Sequence, residues 1–104
     1  MKAKRKHPKI KISENYRGDK TITYHLSNGK LHRIDGPAKI KTNKDGEEIY
    51  HEWWRNGKLH RIDGPAKYNL NDNKWVNYYY NGKSLSKQDY DYIVRSGKLN
   101  GLLN

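Results

Sequence analysis

A mainly β fold is what this 104-residue sequence predicts: an antiparallel meander sheet of about six strands built from β-hairpin repeats, with one C-terminal helix. Three observations predict it. The dodecapeptide NGKLHRIDGPAK occupies residues 28–39 and returns unchanged at 56–67, a spacing typical of repeat architectures. Asn-Gly, the strongest short-range hairpin signal, stands at 28–29, 56–57 and 81–82, each time behind a strand-like run. Near the C-terminus the period changes, and Tyr90, Ile93 and Val94 fall on one helical face.

Strands are expected at roughly 8–13, 20–27, 30–41, 47–55, 58–69 and 74–80. If each Asn-Gly forms a two-residue turn, the ladder is found by counting outward. Ser27 then faces Lys30, Leu26 faces Leu31, His25 faces His32 and Tyr24 faces Arg33. In the second copy Trp54 faces Leu59, Trp53 faces His60, and Glu52 faces Arg61 as a cross-strand ion pair. A proline has no N–H to give a central ladder, so 35–37 and 63–65 should be corners, with strands resuming at Ala38 and Ala66. KWVNYYYNGKSLS at 74–86 is an eroded third copy that keeps the aromatic run and Asn-Gly but loses the His, Arg, Asp and Gly-Pro, as a terminal repeat often does. Ser86 ahead of Asp89 is a helix N-cap signal and Gly97 a C-terminal one, which places the helix at 87–96. The organisation is then a basic N-terminal arm at 1–11, a repeat sheet at 12–86, and a helix with its tail at 87–104.

The pattern W-x-x-N-G-x-x-H-R-x-D-G-P-A resembles tandem repeats in proteins of bacteriophages and large DNA viruses, which are loosely similar to MORN-type hairpin repeats. The resemblance covers residues 24–66 strongly and 75–83 weakly, and HRIDGPA at 32–38 and 60–66 is its specific part. The first copy departs from it by carrying His25 and Leu26 where Trp would stand. The resemblance implies an antiparallel repeat sheet and a phage or viral origin. It carries no activity with it.

Chemistry enters through the same phrase. His32, Arg33 and Asp35, with His60, Arg61 and Asp63, supply an acid, a base and a phosphate clamp, the mixture of a small nuclease. A structural role is favoured over catalysis, because residues flanking a Gly-Pro corner satisfy backbone groups that the bend removes from the ladder. Neighbouring strand residues also point to opposite faces, so His32 and Arg33 should not converge on one substrate atom. The expectation is therefore a protein that is not an enzyme and has no catalytic residues. His25 opposite His32 is the single histidine pair with metal geometry; no other metal spacing, Walker loop or GxSxG occurs, and no cofactor or metal site is expected.

Charge gives the stronger indication. Lys and Arg number 22 against 11 Asp and Glu, a formal charge of +11 that attracts polyanions. Lys4, Arg5, Lys6, Lys9 and Lys11 are candidates for phosphates, joined by Arg33 and Arg61 at equivalent repeat positions. Lys39 and Lys41 share a strand face, and Trp53, Tyr78 and Tyr80 share a parity from their Asn-Gly turns that makes them a candidate aromatic platform for bases. No Cys, apolar leader or membrane-length apolar run is present, so the expected location is the cytoplasm of an infected host. The expected function is docking on nucleic acid or a ribonucleoprotein machine, as in an anti-defence protein such as a CRISPR effector inhibitor. An interaction scaffold for an acidic host protein is the alternative, and a small nuclease the distant one. A free edge on the first strand leaves dimerisation open.

Overall fold

The structure, a computed structural model, describes residues 8–72 and 75–96. It is mainly β, and the described residues form nine strands and one helix in the order β1 (Lys9–Glu14), β2 (Lys20–His25), β3 (Lys39–Thr42), β4 (Glu48–Glu52), β5 (Trp54–Arg55), β6 (Lys58–Leu59), β7 (Lys67–Asn69), β8 (Val76–Tyr80), β9 (Lys83–Leu85) and α1 (Lys87–Ser96). Seven strands make one antiparallel sheet in the order β1-β2-β3-β4-β7-β8-β9, while β5 and β6 pair separately. The expected long strands after Asn-Gly are therefore broken. Each dodecapeptide leaves the sheet, turns at its Gly-Pro, and re-enters beside the strand it left, so that β2 pairs with β3 and β4 with β7.

Two surface turns follow from local chemistry. Asn15 and Asn43 each accept two backbone N–H groups on Oδ1, from Arg17 and Asp19 and from Asp45 and Glu47, while Gly18 and Gly46 take positive φ. At the second and third tips Asn56 and Asn81 have φ of 50° and 48°, followed by Gly57 and Gly82 at 79° and 82°, the left-handed pair of a type I′ turn. Trp54 accordingly faces Leu59 and His60 N–H reaches Trp53 C=O, as expected.

The first tip differs. Leu26 N–H reaches Lys30 C=O and His25 faces Leu31, so the loop is Ser27-Asn28-Gly29 and the ladder is one residue off the expected count. The tips differ in what their glycine N–H groups bond. Gly57 N–H donates to Leu31 C=O and Gly82 N–H to Leu59 C=O, so a preceding repeat holds each later turn. At the first tip Gly29 N–H instead bonds Leu26 C=O within its own loop, and Asn28 does not take the left-handed conformation, which costs a non-glycine residue roughly 1–2 kcal/mol. The shift also removes the His25–His32 pair on which a metal site would have rested.

The corners show why the phrase reads Arg-x-Asp-Gly-Pro-Ala. Arg33 lies over the Tyr24 ring with its guanidinium carbon 4.1 Å from the centroid, and Arg61 lies over Trp53 at 3.9 Å. Nε of each bonds the Asp two residues on, Asp35 at 3.2 Å and Asp63 at 2.8 Å. Nη1 of each bonds the proline carbonyl, Pro37 and Pro65, at 3.1 Å. The guanidinium thus ties the bend from inside, and glycine is needed because it lies close: a Cβ on Gly36 or Gly64 would sit 2.9 Å from the arginine carbon. The ion pair expected between Glu52 and Arg61 does not form. The chain departs from the sheet at Trp53, so Glu52 and Arg61 lie on opposite sides; Glu52 instead faces Lys39 and Lys67 in the sheet.

Burial is shallow. The core comprises Ala38, Ile40, Ala66, Tyr80 and Ile93, and among the described residues no large side chain is fully buried. The molecule is 17 Å across its shortest axis, and among the described residues the main sheet is covered only by the corners, the β5–β6 hairpin and the helix. The helix forms where expected, with Ser86 Oγ accepting Asp89 N–H at 3.0 Å. It packs mainly on β8 and β9, through Ile93 and through Tyr90, whose ring lies 4.4 Å from that of Tyr78. The Tyr90 hydroxyl donates to Ile62 C=O at 2.7 Å, joining the helix to the second corner. Gly97 lies outside the described residues.

Gly64→Ala is expected to lower the unfolding free energy by about 1–3 kcal/mol, through overpacking against a clamped guanidinium. In an Arg61→Ala background the same change should cost much less. Denaturant unfolding of the four proteins of this cycle measures the coupling; additive effects would contradict the clamp.

Candidate nucleic-acid interface

Strand alternation and register sort the sheet into two faces. One row, Ile12, Ile22, Ile40, His51, Tyr68 and Val76, crosses six strands on the side that carries the corners and helix. The opposite side carries the row Lys11, Thr23, Lys39, Glu52, Lys67 and Asn77. Beside that row lie Ser13, Thr21, Lys41, Tyr50 and Asn69. These are the helix face and the lysine face.

On the helix face Trp53, Tyr78 and Tyr80 do share a side, as their parity implies, but each is covered. Arg61 lies on Trp53, Tyr90 packs on Tyr78, and Tyr80 is 8% exposed with His60 edge-on at 4.5 Å. Trp53 Nε1 also donates to the Tyr68 hydroxyl at 3.1 Å, and Tyr68 contacts His51 Nδ1 at 2.9 Å. His51 Nε2 in turn meets Glu48 Oε1 at 2.7 Å, so this row is a closed hydrogen-bonded network. Arg33 and Arg61 are committed to their corners through Nε and Nη1.

The two repeat histidines fasten one repeat to the next. His32 Nδ1 accepts the Asn56 backbone N–H at 3.0 Å, and His60 Nδ1 accepts that of Asn81 at 3.0 Å. The proton of each neutral ring is therefore on Nε2. Burial lowers both histidine pKa values from the ordinary 6.5, and the Arg55 charge lowers them further. His32 and His60 serve different turns, and the described residues contain no group of three His, Cys, Asp or Glu side chains placed to hold a metal.

The lysine face is open and basic. Lys41 Nζ stands 5.6 Å from the Tyr50 centroid, Lys67 Nζ stands 5.5 Å from that of Trp75, and the two rings are 5.7 Å apart. Trp75 is 41% exposed. Lys9 and Lys11, expected in an arm, are part of β1 and align with His25 and Thr23 on this same face. The carboxylate on this face, Glu52, is 8% exposed and occupied: Trp54 Nε1 donates to it at 2.7 Å and the Tyr50 hydroxyl donates to its other oxygen. Burial, and then that bond to Glu52, raises the Tyr50 pKa and keeps its phenol protonated. Lys4, Arg5 and Lys6 lie outside the described residues.

Tyr50 and Trp75 were not among the residues singled out from the sequence. Counting across the Asn43–Gly46 turn from Lys41, already placed with Lys39, would have reached Tyr50. Trp75 needed the long-range pairing of β7 with β8.

No protein-family model matches the chain, and neither a curated protein sequence nor a solved structure is similar to it. No helix among the described residues is long and apolar enough to cross a membrane.

A pH dependence follows from the histidines. Their folded-state pKa values are depressed, so below the ordinary value of 6.5 the unfolded chain binds more protons. The stabilisation is present above pH 6.5 and is lost as pH falls through the lowered folded values. The denaturant midpoint should fall between about pH 7.5 and pH 5, and His32→Gln with His60→Gln should flatten that slope.

Proposed function

We propose that this protein is a non-enzymatic binding module that holds single-stranded nucleic acid on the lysine face of its sheet. The observation that carries the reading is the interleaving of cations and rings there: Lys41 with Tyr50, Lys67 with Trp75, and Lys9, Lys11 and Lys39 around them. Lysines at alternate positions on β1 and β3 give a positive surface that follows a sugar-phosphate backbone. Rings at a sheet surface stack bases only where these are unpaired, which favours a single strand over a duplex. A base that enters displaces the ammonium from the ring toward the adjoining phosphate. Glu52 does not oppose this, because its carboxylate is turned to Trp54 and Tyr50.

The formal charge of +11 adds long-range attraction to any polyanion. If the resemblance to phage and viral repeat proteins holds, this binding would take place in an infected cell, where a guide RNA in a defence complex would be one such target.

Fluorescence anisotropy with single-stranded RNA, single-stranded DNA and duplex of equal length tests the reading. Binding should prefer single strands, with log K falling against log salt at a slope of about −3 to −4 for five lysines. Trp75→Ala should weaken it by about 1–3 kcal/mol, and Lys41→Ala or Lys67→Ala should each reduce the slope by roughly 0.7. Equal binding to polyglutamate, unaffected by Trp75→Ala, would point instead to an acidic protein surface.

A further inference from the structure

A second positive feature lies on the helix face, away from the lysines. Between the first and second corners is a pocket of about 340 Å³ whose walls include Arg33, Arg55 and Arg61. Ile34 and Ile62, both exposed, line it as well. Two of the arginines are held rigidly. Arg33 and Arg61 are stacked on rings and spend Nε and Nη1 on their corners, so each retains an Nη2 whose two N–H donors have no partner among the described residues.

Arg55 is different. It is half-buried in the short β5–β6 hairpin, and among the described residues its guanidinium has neither a hydrogen bond nor an ion pair. It is close enough to His32 and His60 for its charge to act on both, which places it at the junction of the repeats. Serine precedes the first Asn-Gly and tyrosine the third, so this arginine is not part of the repeated phrase. A guanidinium partly withdrawn from water without a counter-ion is unfavourable by itself and favourable once an anion arrives. The one carboxylate in the lining, Asp63, is 79% exposed and bound by Arg61. Arg33 and Arg61 are each matched by an aspartate, Asp35 and Asp63, so Arg55 brings the one uncompensated positive charge and the two clamped guanidiniums add free N–H donors, a combination suited to a phosphate group.

We propose that this pocket binds a phosphomonoester, with Arg55 as the principal contact, Arg33 and Arg61 donating from their free Nη2 groups, and Ile34 and Ile62 against the esterified body. The volume exceeds that of a phosphate group alone and lies within the range of small-ligand sites. Two sources share this chemistry: a free mononucleotide and the 5′-phosphorylated end of an oligonucleotide. The assignment is independent of the lysine face, since it uses other residues on the other side of the sheet.

The test is an NMR titration of the whole chain at constant ionic strength with inorganic phosphate, then AMP, then matched 5′-phosphorylated and 5′-hydroxyl dinucleotides. Saturable shifts are expected at the Trp53 indole and the His60 ring, and bound phosphate should raise the pKa of His60. Arg55→Gln, which removes no side-chain hydrogen bond or ion pair among the described residues, should weaken binding about tenfold or more through loss of charge-assisted hydrogen bonds. Lys41→Ala with Lys67→Ala should leave it unchanged. Stronger binding by AMP identifies a free nucleotide, and binding of the phosphorylated dinucleotide but not its hydroxyl counterpart identifies a chain end. Shifts that follow chloride equally, that map to the lysine face, or that persist in Arg55→Gln would overturn the assignment.

Discussion

Each repeat depends on an arginine held between an aromatic ring and a glycine. The seven-stranded sheet has no second sheet of comparable size packed against it among the described residues, so it lacks the layer against which most sheets bury their side chains. Ala38 and Ala66 are fully buried, but they contribute only methyl groups. The stacked guanidiniums supply what the missing layer would: each covers a large ring, Tyr24 or Trp53, and closes its own bend through an aspartate and a proline carbonyl. Lysine could not do this, because the planar fork makes the stacking and both bonds at once. The invariance of the phrase between copies follows, since changing its glycine, its proline or its arginine undoes the same knot.

This arrangement also decides which side of the sheet is free. The corners and helix lie on one face, where they cover Tyr24, Trp53 and Tyr78. The opposite face retains its lysines and the Tyr50–Trp75 pair. Sidedness is thus a consequence of packing rather than of composition, which is basic and aromatic throughout. The tips add a second order, because Leu31 and His32 hold the turn at Asn56, and Leu59 and His60 hold the turn at Asn81. The pocket at Arg55 arises where two such units meet.

What could be read from the sequence was local or periodic. The repeat, the type I′ turns at Asn56 and Asn81, the Gly-Pro corners, the helix at 87–96 and the shared face of Lys39 and Lys41 depend on turn chemistry and alternation alone. What could not be read depended on a neighbour distant in the chain. The second and third Asn-Gly tips are bonded by the repeat before them, whereas the first takes a wider turn closed within its own loop, which shifts His25 opposite Leu31. Arg61 chooses Trp53 over Glu52 because the chain leaves the sheet between them. Trp53, Tyr78 and Tyr80 do lie on one face, but parity contains no information about what covers that face.

Native-state hydrogen exchange addresses the coupling of repeats most directly, because the Asn56 tip lies outside the main sheet, the Asn81 tip lies at the end of its last hairpin, and little else protects either. If His32, His60, Leu31 and Leu59 fasten each repeat to the next, the amides of Asn56, Gly57, Asn81 and Gly82 should exchange as slowly as those of Trp53 and Ala66 in the sheet. Exchange at these four amides as fast as at Lys44 in its surface turn, with Trp53 and Ala66 still protected, would contradict the account.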